Sequence, residues 1–296
     1  MRFVLALTGA ALLHTGAAFS ATSACPPAGT TRAQLAELRA AKWEVADQAR
    51  RQALALGMLG CLADPDPALR DDTGFEALQF MLRGQKLDPA TMQTMRAALL
   101  AGLRQEDARG FARPFAALTL AEIVRADRVK PFMSDTERAD VVAASTAYLA
   151  SVRDYRGFDE KEGWRHGVAH GADLMLQLSV HPALGKPEQQ AILAAVAAQL
   201  TAPGKQEHFY RYGEGERLMA PVFYLARRSE IDAATWDAWF AALTVPPGPF
   251  TQASLAQRHN LKGFLQPLYV SLAESKDADQ RARILPLVVK ALRQLD

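Results

Sequence analysis

The sequence has little of the features that mark several classes of protein. It contains only two cysteines in 296 residues, so it is not a small disulfide-stapled scaffold. The 34 Lys and Arg residues nearly balance the 32 Asp and Glu residues and are interspersed with them, which argues against a nucleic-acid partner. Hydrophobic residues make up 49% of the chain, so an intrinsically disordered polypeptide is excluded.

Common catalytic and cofactor motifs are also missing. The sequence has no GxSxG element, no phosphate-binding glycine loop, no CxxC pair and no dinucleotide fingerprint. His166 and His170 have the spacing of two metal ligands on a helix. However, no Glu lies between them and no third ligand is evident, so we predict neither a metal nor a cofactor.

The first twenty residues have the pattern of an export signal. Arg2 precedes an apolar run over 3–13, and small residues at Ala18 and Ser20 fit a cleavage site. The run is shorter than the ~20 residues of a membrane-spanning helix, and the later helical segments carry charges. We therefore predict a signal peptide over 1–20, a single all-helical domain over 21–296, a periplasmic or secreted location and no transmembrane segment.

The two cysteines allow three interpretations. In an oxidising compartment Cys25 and Cys61 can form a disulfide that ties the N-terminal segment to the first helical hairpin. Alternatively, the small residues before Cys25 suggest a lipid anchor, although Thr22 stands where an aliphatic residue is usual. Two free thiols are the third interpretation.

Helical periodicity dominates the sequence. Apolar residues recur at steps of three and four, and long alternating strand patterns are absent. The Pro-rich link at 246–250 is the only possible domain boundary. We predict helices near 31–61 (as two), 66–83, 89–104, 112–127, 134–151, 162–180, 187–201, 214–229, 233–243, 252–275 and 277–294. Such lengths and short links favour an all-α fold of antiparallel helix pairs, stacked as a HEAT-like α-solenoid or as a closed α/α toroid.

One predicted helix carries an unusual line of polar residues. If residues 164–180 are helical, His166, His170 and Asp173 fall within about 60° of one another. No Lys, Arg or Glu occurs from His166 to His181, so the helix is expected to be covered on nearly all sides. The polar line is then either a buried hydrogen-bond network that fixes helix register or the lining of a ligand-binding or catalytic cavity.

Other polar residues concentrate at helix starts and links, where helical repeats build a binding face. Arg–carboxylate pairs in the loop before the histidines can clamp that loop. Asp71 and Asp72 are interpreted as acids that favour a helix dipole. The candidate polar cluster comprises Asp154, Arg156, Trp164, His166, His170, Asp173, Glu214, Glu216, Arg217 and His259.

Several segments together resemble a bacterial family named domain of unknown function 2785. The resemblance extends from about residue 45 to the end and is most specific in the segment Gly-Trp-x-His-x-x-Ala-His-Gly-Ala-Asp. It implies an all-helical domain with no established activity, so it supplies no catalytic residues. The segments that carry it are 69–72 (LRDD), 113–118 (RPFAAL), 154–157 (DYRG) and 163–173 (GWRHGVAHGAD).

Two functions fit these observations. The first is an exported helical-repeat protein that binds a ligand or partner through a concave polar face around His166, His170 and Asp173. The alternative is a hydrolase-like enzyme with a toroidal core that acts on a small substrate such as a sugar. A deep cavity containing His170 and Glu216 favours the enzyme, whereas a groove or paired side chains favour binding.

Overall fold

The computed structural model describes residues 25–201, 207–245 and 248–295. The predicted signal peptide over 1–20 and residues 246 and 247 of the predicted Pro-rich link lie outside these ranges. Within them, no helix combines the length and the apolar character that crossing a membrane requires.

The fold is all-α, as predicted, with one short β-hairpin. The α-helices are α1 (Arg32–Ala40), α2 (Gln48–Met58), α3 (Pro67–Leu69), α4 (Glu76–Arg83), α5 (Pro89–Arg104), α6 (Ala112–Val129), α7 (Asp135–Ser151), α8 (Gly167–Ser179), α9 (Lys186–Leu200), α10 (Glu214–Leu225), α11 (Ala233–Ala242), α12 (Gln252–Ala273) and α13 (Ala278–Arg293). A 3-10 helix covers Leu59–Ala63, a π-helical turn covers Arg70–Phe75, and the hairpin pairs β1 (Phe158–Asp159) with β2 (Gly163–Trp164).

Local capping explains where several helices begin. At the start of α7, Ser134 accepts a hydrogen bond from the Glu137 backbone N–H, and the Glu137 side chain accepts one from the Ser134 backbone N–H. At the start of α5, Asp88 accepts from the Thr91 N–H, and proline occupies the first helical position. These reciprocal and single caps satisfy helix donors that have no partner within the helix.

Helix α8 lies in the middle of the helical array. The helices α6, α8, α10 and α12 pack side by side in that order, and α5, α7 and α9 form a second row against them. Leu174 and Met175 of α8 are fully buried. At Gly171 an added Cβ atom would lie 3.0 Å from Leu149 Cδ1, so glycine permits the close approach of α7.

Two predicted helices are interrupted, and both interruptions affect the polar cluster. The segment 66–83 contains the π-helical turn between α3 and α4. The prediction of one helix over 162–180 is wrong, because Trp164 pairs with Phe158 in the hairpin and α8 begins only at Gly167. Gly163 has φ of 73° and His166 has φ of 55°, so two left-handed residues turn the chain before the helix starts.

The two cysteines are joined in a disulfide. Cys25 and Cys61 are separated by 36 positions in the sequence, and Cys61 lies in the 3-10 helix. An added Cβ atom at Gly74 would lie 2.8 Å from Cys61 Cβ, so the bond sits directly against the π-helical turn. A sulfur in a disulfide cannot also carry a lipid, which favours this pairing over the lipid anchor at Cys25.

Candidate functional site

The site is built around the first two turns of α8. Asp173 Oδ2 lies 3.8 Å from His170 Nδ1, and Asp173 Oδ1 accepts a hydrogen bond of 2.6 Å from Arg217 of α10. The side chains of His170 and Asp173 are 12% and 18% exposed, whereas that of Arg217 is 54% exposed. An imidazole and a carboxylate are therefore enclosed behind a half-exposed guanidinium group.

His170 has no hydrogen-bond partner. Both of its ring nitrogens are shielded from solvent, and neither forms a hydrogen bond with the described residues. The rings of Phe115 and His166 form T-shaped pairs with its ring, with centroid distances of 5.3 and 5.7 Å. Leaving a buried polar group unpaired costs about 1–3 kcal/mol, so this imidazole needs an explanation other than stability.

His166 precedes α8 instead of lying on it. It adopts the left-handed conformation at the helix N-cap, and its Nε2 lies 2.9 Å from the Tyr212 carbonyl oxygen. Because a carbonyl only accepts, Nε2 carries the proton and the lone pair of Nδ1 stays free in the neutral ring. A left-handed non-glycine residue costs about 1–3 kcal/mol, and such residues cluster at functional sites.

Asp71 lies in the first turn of a helical segment, as the interpretation of it as a dipole-favouring acid requires, and it is also paired with Arg70. It lies in the π-helical turn, a distortion that occurs frequently at functional sites. Burial raises the pKa of Asp71, although hydrogen bonds from Arg70 and the nearby charges of Arg70 and His170 oppose this rise.

Arg70 and Phe111 support the hairpin, and sequence reasoning missed both. The fully buried guanidinium of Arg70 bonds to both carboxylate oxygens of Asp71, at 3.0 and 3.1 Å, and donates to the Glu162 carbonyl at 2.8 Å. It lies 4.1 Å from the ring centroid of Phe111, over which Arg165 also lies at 4.4 Å. The only signal for Arg70 is its place in the LRDD segment of the family resemblance.

An exposed aromatic surface borders the two imidazoles, and we call Phe158, Trp164 and Tyr212 the aromatic edge. Trp164 is 38% exposed and stacks on the His166 ring at 4.6 Å with an interplanar angle of 22°. Phe158 and Tyr212 approach the indole at centroid distances of 5.1 and 5.8 Å. At Gly157 an added Cβ atom would fall 2.0 Å from Tyr212 Cδ2, so only glycine allows Tyr212 this position.

The structure brings together only part of the predicted cluster. Trp164, His166, His170, Asp173 and Arg217 form one contiguous group, as described above. The other five predicted residues lie outside this group.

Asp154 and Arg156 form a bidentate pair with Nε–Oδ1 and Nη2–Oδ2 distances of 2.8 and 2.5 Å, which clamps the loop before the hairpin. Glu214 is buried and accepts from the Tyr212 backbone N–H at 2.8 Å. Glu216 is exposed and forms no hydrogen bond or ion pair with the described residues. His259 bonds through Nε2 to the Tyr210 carbonyl at 3.1 Å.

Neither of two cavities in the described part of the chain is lined by His170 or by the aromatic edge. A cavity of about 50 Å³ next to Asp154 and an open groove along α13 contain neither His170 nor Glu216. In the described ranges no group of three or more His, Cys, Asp or Glu side chains is placed to hold a metal ion.

Comparison with known proteins identifies the family of this chain. A family model described as a protein of unknown function, DUF2785, matches residues 99–270, which is more than half of the chain. The chain belongs to this family. The resemblance inferred from the sequence is confirmed, over a shorter range than residue 45 to the end. Comparisons with curated proteins and with solved structures found no match.

The family range of DUF2785 covers α6 to most of α12 and includes the aromatic edge, both imidazoles, Asp173 and Arg217. Asp71 and Arg70 lie before it. The part of the site on α8 and α10 therefore belongs to the family domain. The segment before this domain contributes Arg70, which bonds to the hairpin at Glu162.

This DUF2785 member is expected to lose stability as the pH falls from about 6.5 to about 4. Burial lowers the pKa of His166 from 6.5 to about 4, with smaller contributions from His170 and Arg217. Between these pH values the His166 imidazole is protonated in the unfolded chain but not in the folded chain. The free energy of unfolding therefore decreases on acidification. We expect about 1–2 kcal/mol after allowance for solvent screening, measured by urea unfolding at several pH values.

The matched control is His166→Asn, because asparagine tolerates the left-handed conformation and does not titrate. The variant should retain the wild-type stability profile above pH 7 and lack this part of the acid dependence. An unchanged slope between pH 6.5 and 4 in the variant would contradict the assignment to His166.

Proposed function

We propose that this protein is an exported helical-repeat protein that binds a neutral, polyhydroxylated ligand of the saccharide class. The proposed surface consists of the aromatic edge together with His170, Asp173 and Arg217. Export is supported by the signal-like pattern of residues 1–20 and is compatible with the disulfide of Cys25 and Cys61.

The unpartnered imidazole of His170 is the observation that carries the proposal. A ligand hydroxyl can donate to one ring nitrogen and accept from the N–H of the other, so it satisfies either tautomer. The two nitrogens are shielded, so a ligand reaches them only if a neighbouring side chain moves. Arg217 is the most exposed neighbour, with 54% of its side chain in contact with solvent.

The charge of the surface favours a neutral ligand. Arg217 is paired with Asp173, and Arg70 is paired with Asp71. The pKa of about 4 leaves the ring of His166 uncharged at neutral pH. A ligand with a net charge would therefore meet no uncompensated charge at this surface, whereas hydroxyl groups can bond to the paired carboxylates and guanidiniums.

The exposed indole favours a sugar ring among neutral polar ligands. A pyranose has an apolar face of C–H groups that packs on an aromatic ring, and hydroxyl groups at its rim for polar contacts. Trp164 presents such a ring, stacked on His166, which in turn lies next to His170. Binding is favoured over hydrolysis because Glu216, which the enzyme alternative places in a cavity with His170, is exposed and forms no hydrogen bond with it.

Trp164→Ala is expected to weaken saccharide binding about tenfold, which corresponds to about 1.4 kcal/mol, because it removes the aromatic face on which the sugar ring packs. Titration calorimetry and tryptophan fluorescence with glucose, N-acetylglucosamine, maltose and cellobiose provide the measurement. His170→Leu should also abolish binding while leaving the free energy of unfolding unchanged or up to about 1 kcal/mol higher, because it removes two unpaired polar atoms.

Tyr224→Ala is the matched control, because Tyr224 has the same exposure of 38% and lies outside the aromatic edge. It should bind saccharides like the wild type. The proposal is wrong if none of the four sugars binds saturably, or if the Trp164 and Tyr224 variants behave alike.

A further inference from the structure

A polar cavity lies where α6 and α8 begin. It has a volume of about 50 Å³ and is separate from the proposed saccharide surface. Its polar lining comprises Asp107, Arg113, Tyr148, Arg153, Asp154 and Arg165. Three guanidiniums and two carboxylates thus surround one small space.

Both carboxylates are already fully engaged. Asp107 accepts from the backbone N–H groups of Gly110, Phe111 and Arg113, at 2.9, 3.3 and 2.9 Å. Asp154 forms the bidentate pair with Arg156, which lowers the pKa of Asp154 against the opposing effect of burial. Arg156 balances the charge of Asp154, and Glu162 balances that of Arg165, so the guanidiniums of Arg113 and Arg153 exceed the single remaining negative charge of Asp107.

Two of the three guanidiniums have no acidic partner. Arg113 donates to the Leu103 carbonyl at 3.0 Å and to the Ser151 hydroxyl at 3.2 Å. Arg153 donates only to the carbonyls of Ala150 and Val152, at 3.0 and 2.6 Å. In the part of the chain that the structure describes, neither residue forms an ion pair.

The backbone adds to the positive potential of the cavity. Gly167, the first residue of α8, lines it, and no side chain caps this helix end. The N–H groups at a helix start and the positive end of the helix dipole favour an anion. Tyr148 closes the inner wall, and its hydroxyl donates to the Gly167 carbonyl at 3.2 Å.

We propose that this cavity binds a small oxyanion, as a carboxylate or phosphate group, between the guanidiniums of Arg113 and Arg153. The volume holds only a few atoms, since one water needs about 10–15 Å³ of such space. A planar guanidinium presents paired donors that match the oxygens of either group.

Thermal unfolding of the full chain, titrated with sodium phosphate, sodium acetate or glycerol 3-phosphate at constant ionic strength, tests this proposal. We expect a saturable rise of Tm with at least one of these anions. Arg153→Gln should raise the apparent Kd of the anion at least about tenfold, because it removes a charge-assisted contact. Arg113→Lys keeps the charge but loses the paired donors of the planar guanidinium, so it should also raise the apparent Kd.

Arg104→Gln is the control, because Arg104 is exposed at the end of α5 and does not line the cavity. It should respond like the wild type. A tighter Kd for glycerol 3-phosphate than for phosphate assigns the site to the end group of a larger molecule, and equal values assign it to the free anion. No saturable rise with any of the three, or an undiminished rise in Arg153→Gln, overturns the proposal. Saccharide titration of Arg153→Gln should match the wild type, so the two proposals fail independently.

Discussion

Arg70→Ala should lower the free energy of unfolding by about 3–5 kcal/mol and abolish saccharide binding. The substitution leaves the half-buried carboxylate of Asp71 without its bidentate partner and leaves the Glu162 carbonyl without its donor. It also removes the guanidinium that packs 4.1 Å from the centroid of Phe111. Chemical denaturation and calorimetry on the same preparation measure the two effects.

The hairpin explains why a stability residue should also affect binding. Arg70 holds the chain at Glu162, two residues before Trp164, and thus positions the indole of the aromatic edge. Arg70→Lys keeps the charge but cannot form the two parallel hydrogen bonds to Asp71 or stack on Phe111. Most of the loss of stability and of binding should therefore persist.

Arg39→Ala is the matched comparison, because Arg39 bonds to Asp72 and Glu76 on the same helical stretch. Its side chain is largely in solvent, so the expected loss is below about 1 kcal/mol. Equal losses in the Arg39 and Arg70 variants would contradict the role assigned to Arg70.

Asp127→Ala should cost about 3–5 kcal/mol of unfolding free energy. Asp127 is fully buried and accepts from the backbone N–H groups of Phe132 and Met133, both at 2.7 Å. Arg138 donates to it at 2.7 Å, and His181 donates through Nε2 at 3.0 Å. Burial raises the pKa of Asp127, but these hydrogen bonds outweigh burial and hold it well below its usual range.

Asp135→Ala separates this burial effect from the ion pair itself. Asp135 also pairs with Arg138 at 2.7 Å, but its side chain is 98% exposed. We expect a loss of less than about 0.5 kcal/mol in thermal or urea unfolding. A large loss of unfolding free energy in Asp135→Ala, or a small one in Asp127→Ala, would show that burial of the carboxylate does not determine how much it stabilises the fold.

The two buried histidines illustrate what sequence reasoning can and cannot separate. His170 and His181 occur in the same charge-poor segment, and both are enclosed. Only the structure shows that His181 bonds to Asp127, 54 positions away, whereas no described residue forms a hydrogen bond with His170. The distinction between a structural and a functional imidazole therefore depends on residues that are remote in sequence.

The error at His166 has a similar origin. A period of 3.6 residues continues smoothly from 164 to 180, so periodicity alone extends the helix through His166. A hairpin with two residues in each strand has no periodicity to detect. The left-handed conformation of His166 is held by its contacts with Tyr212 and Trp164, which local pattern cannot reveal.

By itself the sequence determined the all-helical class, most helix starts and the family, because these depend on contacts within three or four positions along the chain. Ser134 and Asp88 cap their helices whatever the rest of the molecule does. Only the tertiary structure decided which polar groups meet. Arg70 reaches Glu162 across 92 positions. Packing of α6, α8 and α10 encloses His170 where no described residue forms a hydrogen bond with it, and burial removes water as a partner.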